Sequence, residues 1–173
     1  DLIIMNKNPR CLYESSLHDF LSEGSNAVFG YLCARYHGDT LTTTREAWLN
    51  EIKILQKELL PWKCSNGKII FEYDIPRLGK RIDVVLLLKG IIFCLEFKVG
   101  ESRIIENDID QVLDYALDLR NFHKFSESKV IVPILIATKY QKQSSLIQKS
   151  VYNDKVLNPL VTGEGGIQEL IRK

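Results

Sequence analysis

Val84-Val85-Leu86-Leu87-Leu88, then Lys89-Gly90, then Ile91-Ile92-Phe93-Cys94-Leu95: two apolar runs joined by a turn dipeptide read as a β-hairpin. The hairpin opens with Lys80-Arg81-Ile82-Asp83 and closes with Glu96-Phe97-Lys98. A two-residue loop pairs Leu88 with Ile91, and counting outward brings Asp83 opposite Glu96. Residues opposed in this way have Cβ atoms about 4.5–5.5 Å apart, and Lys98 emerges on the face of Glu96. Two carboxylates at that separation repel unless a cation lies between them, which points to a divalent metal. Lysine is an unusual residue for a primed turn. A three-residue loop with Gly90 in a bulge would slip the pairing and offset the carboxylates. The same residues also fit a solvated salt bridge, Lys98 with Glu96 or Asp83.

Working outward, both faces of the hairpin are apolar. Val85, Leu87, Ile92 and Cys94 lie on one side, and Val84, Leu86, Phe93 and Leu95 on the other. A sheet apolar on both faces needs covering layers on both, which is an α/β architecture. The helix before it is predicted from Thr43, with Glu46 at capping-box spacing, to Leu60, where Pro61 stops it. Trp48, Ile52, Leu55 and Leu59 form its buried stripe, with Glu51 at the edge of that stripe. Taken alone, Glu51 reads as a carboxylate reaching water. A strand is predicted over Lys68–Tyr73 and a turn at Pro76-Arg77-Leu78-Gly79. Downstream, a helix is predicted from Asp108 to about His123, buried through Ile109, Val112, Ala116 and Leu119. Gln111 and Tyr115 share a stripe of it, and would be surface residues on their own. Val130–Thr138 is a last core strand, whose Pro133 argues for an edge position or a bulge.

The flanks are plainer. Residues 11–37 read as two short amphipathic helices, the first ended by Gly24 and the second capped by Ser25, with a polar connector over Gly38–Thr42. Residues 141–173 read as a polar extension that ends in a Gly163–Gly166 turn and a helix over Ile167–Arg172. The 173 residues, 45% of them hydrophobic, suffice for one well-packed domain and are short for two. The reading is therefore a single domain over 1–173: a helical appendage at 11–42, a core at 43–140 and an extension at 141–173.

Composition narrows the function. With 23 basic against 22 acidic residues, bulk charge neither announces nor excludes a nucleic-acid partner. Cys11, Cys33, Cys64 and Cys94 are dispersed without a Cys-x-x-Cys pair, the usage of a reduced cytoplasmic protein without a zinc site. No stretch is long and apolar enough to span a membrane. His18, His37 and His123 lack ligand spacing, and neither a nucleophile elbow nor a phosphate loop is present.

The order helix, three strands, helix, strand, with Glu51 on the first helix, Asp83 and Glu96-x-Lys98 on the hairpin and Gln111-x-x-x-Tyr115 on the second helix, resembles the PD-(D/E)XK, or restriction endonuclease-like, nuclease superfamily. The Gln-x-x-x-Tyr pair is similar to the accessory motif of its RecB-like branch. More narrowly, Phe71–Asp83, Glu96–Gly100 and Asp110–Leu119 are similar to the N-terminal domain of bacterial helicase-like proteins of the Schlafen-group type. The likeness covers about residues 11–140, with Ile82-Asp83 standing where the strict motif has Pro-Asp.

The resemblance implies an αβββαβ core whose mixed sheet carries helices on both faces. It implies a Mg²⁺- or Mn²⁺-dependent phosphodiesterase, acting on nucleic acid, expected to be DNA, and attached to a helicase domain in DNA repair or defence. Asp83 and Glu96 would hold the metal with the Phe97 carbonyl, Glu51 would add a ligand, and Lys98 would orient or deprotonate water and stabilise charge. Gln111 and Tyr115 would fix the metal face or contact substrate. Arg77, Lys80 and Arg81 fit phosphate contacts, and equally fit solvated turn residues. Hard carboxylate donors suit Mg²⁺ or Mn²⁺. The competing functions are a non-catalytic nucleic-acid-binding module and a regulatory or dimerisation domain.

Overall fold

A computed structural model describes residues 10–38, 42–75, 78–122, 126, 128–141 and 155–173. One mixed sheet carries the fold. Its six strands stand in the order of the chain: β1 (Tyr13–Ser16), β2 (Gly67–Ile75), β3 (Lys80–Leu88), β4 (Ile91–Lys98), β5 (Val130–Ala137) and β6 (Leu160–Thr162). The first four pair antiparallel, and β4, β5 and β6 pair in parallel.

The hairpin sets the register. Leu88 pairs with Ile91, and the pairing runs outward to Val84 with Leu95. Lys89 and Gly90 both take positive φ, 54° and 77°, as a two-residue primed turn requires. The bulged alternative, which would have slipped the register, is not adopted. The alternation follows: Val84, Leu86, Phe93 and Leu95 join one buried core, and Val85, Ile92 and Cys94 the other.

Helices α1 (Leu17–Ser22), α2 (Ser25–Arg35), α3 (Thr42–Glu58) and α5 (Ile167–Arg172) contribute buried residues to the first core. Helix α4 (Glu106–Phe122) covers the second through Tyr115, Ala116 and Leu119. Helices on both faces, in the order α3-β2-β3-β4-α4-β5, match the architecture expected. The stripe Trp48, Ile52, Leu55 and Leu59 is buried as read from its spacing. Among the described residues no helix is long and apolar enough to cross a membrane.

The flanks differ from expectation. Residues 13–16 form a strand, not the start of a helix: Tyr13 pairs with Phe71 and Ser16 with Lys68. Tyr13 is thereby drawn into the core, with its ring 5.9 Å from that of Phe71. The helix cap is Ser16, whose side chain accepts from the Asp19 amide, while Ser25 is already the first residue of α2. Leu160–Thr162 add a strand to the sheet where the sequence reads as polar extension. The two ends are thus sheet members, with Leu17, Phe20, Leu32, Leu160 and Ile167 in one core.

Local boundaries shift as well. Helix α3 already contains Thr43, so that residue is not its cap; it ends at Glu58, and Pro61 sits in a 3-10 turn, Leu60–Trp62. Helix α4 begins at Glu106 and holds Asp108 in its first turn. Pro133 is flanked by β4 on one side and by the β6 segment on the other, so its strand is not an edge. Ile131 bonds the 155–157 segment through both its amide and its carbonyl, and Pro133, two residues on, faces the same way. That side is interrupted between the Ile131–Val156 bridge and the Ile134–Leu160 pair, so the missing proline donor disrupts no ladder bond. Pro76, Arg77 and His123, and much of the connector and of the polar stretch after Gln141, lie outside the described residues.

Replacing Gly90 by Ala leaves the added methyl in open space but strains a positive-φ position. It is expected to destabilise the protein by about 1 kcal/mol, whereas Lys89→Asn, with a residue that tolerates this conformation, should raise the midpoint. Urea unfolding checks both, and an unchanged Gly90→Ala midpoint would contradict the primed turn.

Candidate metal centre

The β3–β4 ladder stops at Val84–Leu95, before the expected Asp83–Glu96 pair. At that point the Phe97 amide bonds the Asp83 carboxylate, at 2.8 Å from Oδ2. Beyond it β4 continues only on its other edge, where Glu96, Phe97 and Lys98 pair with Leu135, Ile136 and Ala137 of β5. The Lys98 carbonyl accepts from Thr138 on the β5 edge, so the Phe97 carbonyl, one residue earlier, faces the opened β3 edge.

A second distortion lies alongside. On β2 and β3, Phe71 pairs with Val84 and Tyr73 with Ile82, but the Glu72–Asp83 pair between them is skipped. Glu72 has φ 52° in the middle of its strand, a conformation costing about 1–3 kcal/mol for a residue other than glycine. The strands reverse phase there. Ile69, Phe71 and Val84 belong to the first core, whereas Tyr73, Ile75 and Ile82 belong to the second. The backbone records the same reversal: the Phe71 carbonyl and the Asp74 amide both bond the β1 side, at the odd spacing of three residues.

Through this opening, acidic groups from both layers meet. Glu51, from α3, is only 5% exposed and Glu96 only 6%. Glu51 Oε2 and Glu96 Oε2 are buried with no hydrogen-bond partner among the described residues. Burial and then the charges of Asp83, Glu72 and Glu96 push the Glu51 carboxyl well above its usual range. Burial, and after it the Glu96 charge, does the same to Asp83, against the pull of the Phe97 amide. Glu72 and Glu96 are each raised to about 7, chiefly by burial; Trp48 Nε1 donates to Glu72 Oε1 at 3.0 Å.

Lys98 stands on the α4 side of this group. Its ammonium lies 3.5 Å from Glu96 Oε1 and 3.4 Å from Asp108 Oδ1, and donates to Gln111 Oε1 at 3.0 Å. Gln111 Nε2 in turn donates to the buried Tyr115 hydroxyl at 2.7 Å. Burial alone would lower the Lys98 pKa, but Glu96 and Asp108 outweigh it and hold the lysine above its usual value. Its neighbours thus favour the charged form of Lys98.

The structure thus brings Glu51, Asp83, Glu96, Lys98, Gln111 and Tyr115 together. Lys80 and Arg81 are exposed at the start of β3, and the Arg81 guanidinium lies 5.6 Å from the centre of the Tyr36 ring; Arg77 lies outside the described residues. Sequence reasoning missed Glu72, which alternates with Phe71 and Tyr73 as if outward-facing, and Asp108, read only as a helix start. The acidic residue in the first turn of α4, one turn before Gln111, is the signal that could have found Asp108.

The donor set suits a hard divalent cation: carboxylate oxygens, two of them buried and unpaired, and a backbone carbonyl facing the same gap. Among the described residues no three His, Cys, Asp or Glu side chains surround one point closely enough to hold a metal ion as they stand. The fit rests on donor chemistry and the orphaned oxygens rather than on a finished cage. No protein-family model, curated protein or solved structure matches this chain.

These pKa directions fix the sign of a pH effect. Glu72 and Glu96 bind protons in the folded chain up to about pH 7, against about 4.3 for an unfolded glutamate. Folded protein thus holds the extra protons, and stability falls as pH rises through that window. In chelator, Glu51→Gln is expected to approach the wild type only towards pH 4 and to melt higher at pH 8, because it removes a buried carboxyl that resists ionisation in the folded chain. A wild-type advantage at pH 8 would show that the ionised Glu51 is stabilising and the account wrong.

Proposed function

We propose that this chain is a metal-dependent nuclease domain of the PD-(D/E)XK type. The observation that carries the reading is the meeting of Glu51, Asp83 and Glu96 at the end of the β3–β4 ladder, with Lys98 fixed beside them by Asp108 and Gln111. A non-catalytic binder has no use for buried carboxylates that repel each other and would repel phosphate.

In this reading Asp83, Glu96 and the Phe97 carbonyl hold a Mg²⁺ or Mn²⁺ ion, with Glu51 as a further ligand. A divalent cation supplies Lewis acidity to the phosphoryl oxygens and acidifies water. Lys98, kept charged, orients the attacking water and stabilises the negative charge that develops on the phosphoryl oxygens. Gln111 and Tyr115 position Lys98 through the hydrogen-bond chain from its ammonium. Lys80 and Arg81, exposed at the start of β3, would meet the nucleic-acid backbone. The substrate in this proposal is DNA, delivered by a helicase domain of the whole protein in DNA repair or defence.

The test is Mg²⁺- and Mn²⁺-dependent cleavage of single- and double-stranded DNA and RNA. Wild type should cleave; Asp83→Asn, which keeps an acceptor for the Phe97 amide, should fall to background. Lys98→Ala should lose about 100-fold or more. Binding of the same substrates without cleavage, by wild type and both variants alike, would favour the binding-module reading.

A further inference from the structure

We propose that Glu72 is a further carboxylate of this cation site and that Trp48 is the residue that positions it. The inference rests on the metal-dependent reading above and concerns a residue that the Glu51, Asp83 and Glu96-x-Lys98 pattern does not include.

Ile70 packs against the α4-side core, and regular alternation would send Glu72 the same way. The positive φ at Glu72 breaks that alternation, and its carboxylate instead meets the indole of Trp48, on α3. Glu51 lies on the same helix, one turn further along. No turn demands this geometry. The pairs on either side, Phe71–Val84 and Tyr73–Ile82, are in register, and only the pair containing Glu72 and Asp83 is given up. The distortion thus puts Glu72 beside the opening where the buried, unpaired oxygens of Glu51 and Glu96 already call for a cation or its water. Its charge is felt there: Glu72 contributes to raising both Glu51 and Glu96. Arg81 also acts on Glu72, but it is exposed and stacks on Tyr36, so it does not replace a cation among the carboxylates.

Trp48 secures the arrangement. Its Nε1–H holds Glu72 Oε1, and its own ring packs edge-on against Tyr36 at 5.5 Å. One carboxylate oxygen is thereby anchored, which leaves Oε2 for the cation or for a water on it.

The alternative is that Glu72 serves only as the acceptor for Trp48, and Glu72→Gln separates the two. Glutamine keeps an oxygen for the indole but loses the charge. Titration calorimetry with MnCl₂ on the whole chain, with unfolding midpoints taken in chelator, gives the readout. Glu72→Gln is expected to weaken Mn²⁺ binding about 10-fold with a metal-free midpoint equal to or above that of wild type. Trp48→Phe, which keeps most of the ring but removes the donor, should weaken binding by a smaller factor. If Asp83→Asn abolishes binding while Glu72→Gln binds like wild type, Glu72 is structural and this inference is overturned. If Mn²⁺ binds wild type and Asp83→Asn equally, the parent reading fails instead, and no binding to wild type would remove both.

Discussion

The bond between the Phe97 amide and the Asp83 carboxylate marks where the sheet changes character. Up to Leu95, β4 is bonded on both edges; beyond it, only the parallel partner β5 remains. A buried amide left without a partner costs about 1–3 kcal/mol, so the ladder can open here only because a side chain takes the place of the lost backbone acceptor. Asp83 is that side chain. Its carboxylate ends the hairpin and lines the gap that ending creates, and the distortion at Glu72 on the neighbouring strand lets the gap reach α3.

Charge inside that gap is unevenly held. Lys98 has acceptors on several sides, and its links through Asp108 and Gln111 tie β4 to α4. Opposite it, Glu51, Glu72 and Asp83 are held largely by burial in an environment that favours their protonated forms. One lysine does not balance this many carboxylates. That imbalance is what a divalent cation would correct, and a net charge of +1 for the whole chain conceals it entirely. Overall charge says little about a protein whose acidic groups converge on one opening.

Much of the core was legible because its signals are local. The apolar runs around Lys89-Gly90 define a hairpin, and the stripe from Trp48 to Leu59 and the Gln111–Tyr115 spacing each follow from a single repeat. Tyr13–Ser16 and Leu160–Thr162 were not legible. A strand of three or four residues becomes a strand only when a sheet edge accepts it, and β2 and β5 supply those edges. Pro133 was half legible: its strand is not an edge, but residues 132–133 lie opposite three residues, 157–159, so the irregularity its missing donor called for is there.

The sequence by itself determined the hairpin, since side-chain alternation acts over a few residues. The choice between a two-residue and a bulged turn fell to the structure, where Lys89 and Gly90 both take positive φ. The hairpin set Asp83, Glu96 and Lys98 at one end of an apolar element. Only the tertiary structure decided how those groups meet. The ladder stops one pair early, Glu72 turns towards α3, and Glu51 is buried instead of reaching water. Each of these outcomes balances backbone strain and desolvation against contacts between segments far apart in the chain. No local pattern of residues encodes that balance, because its terms exist only once the layers have packed.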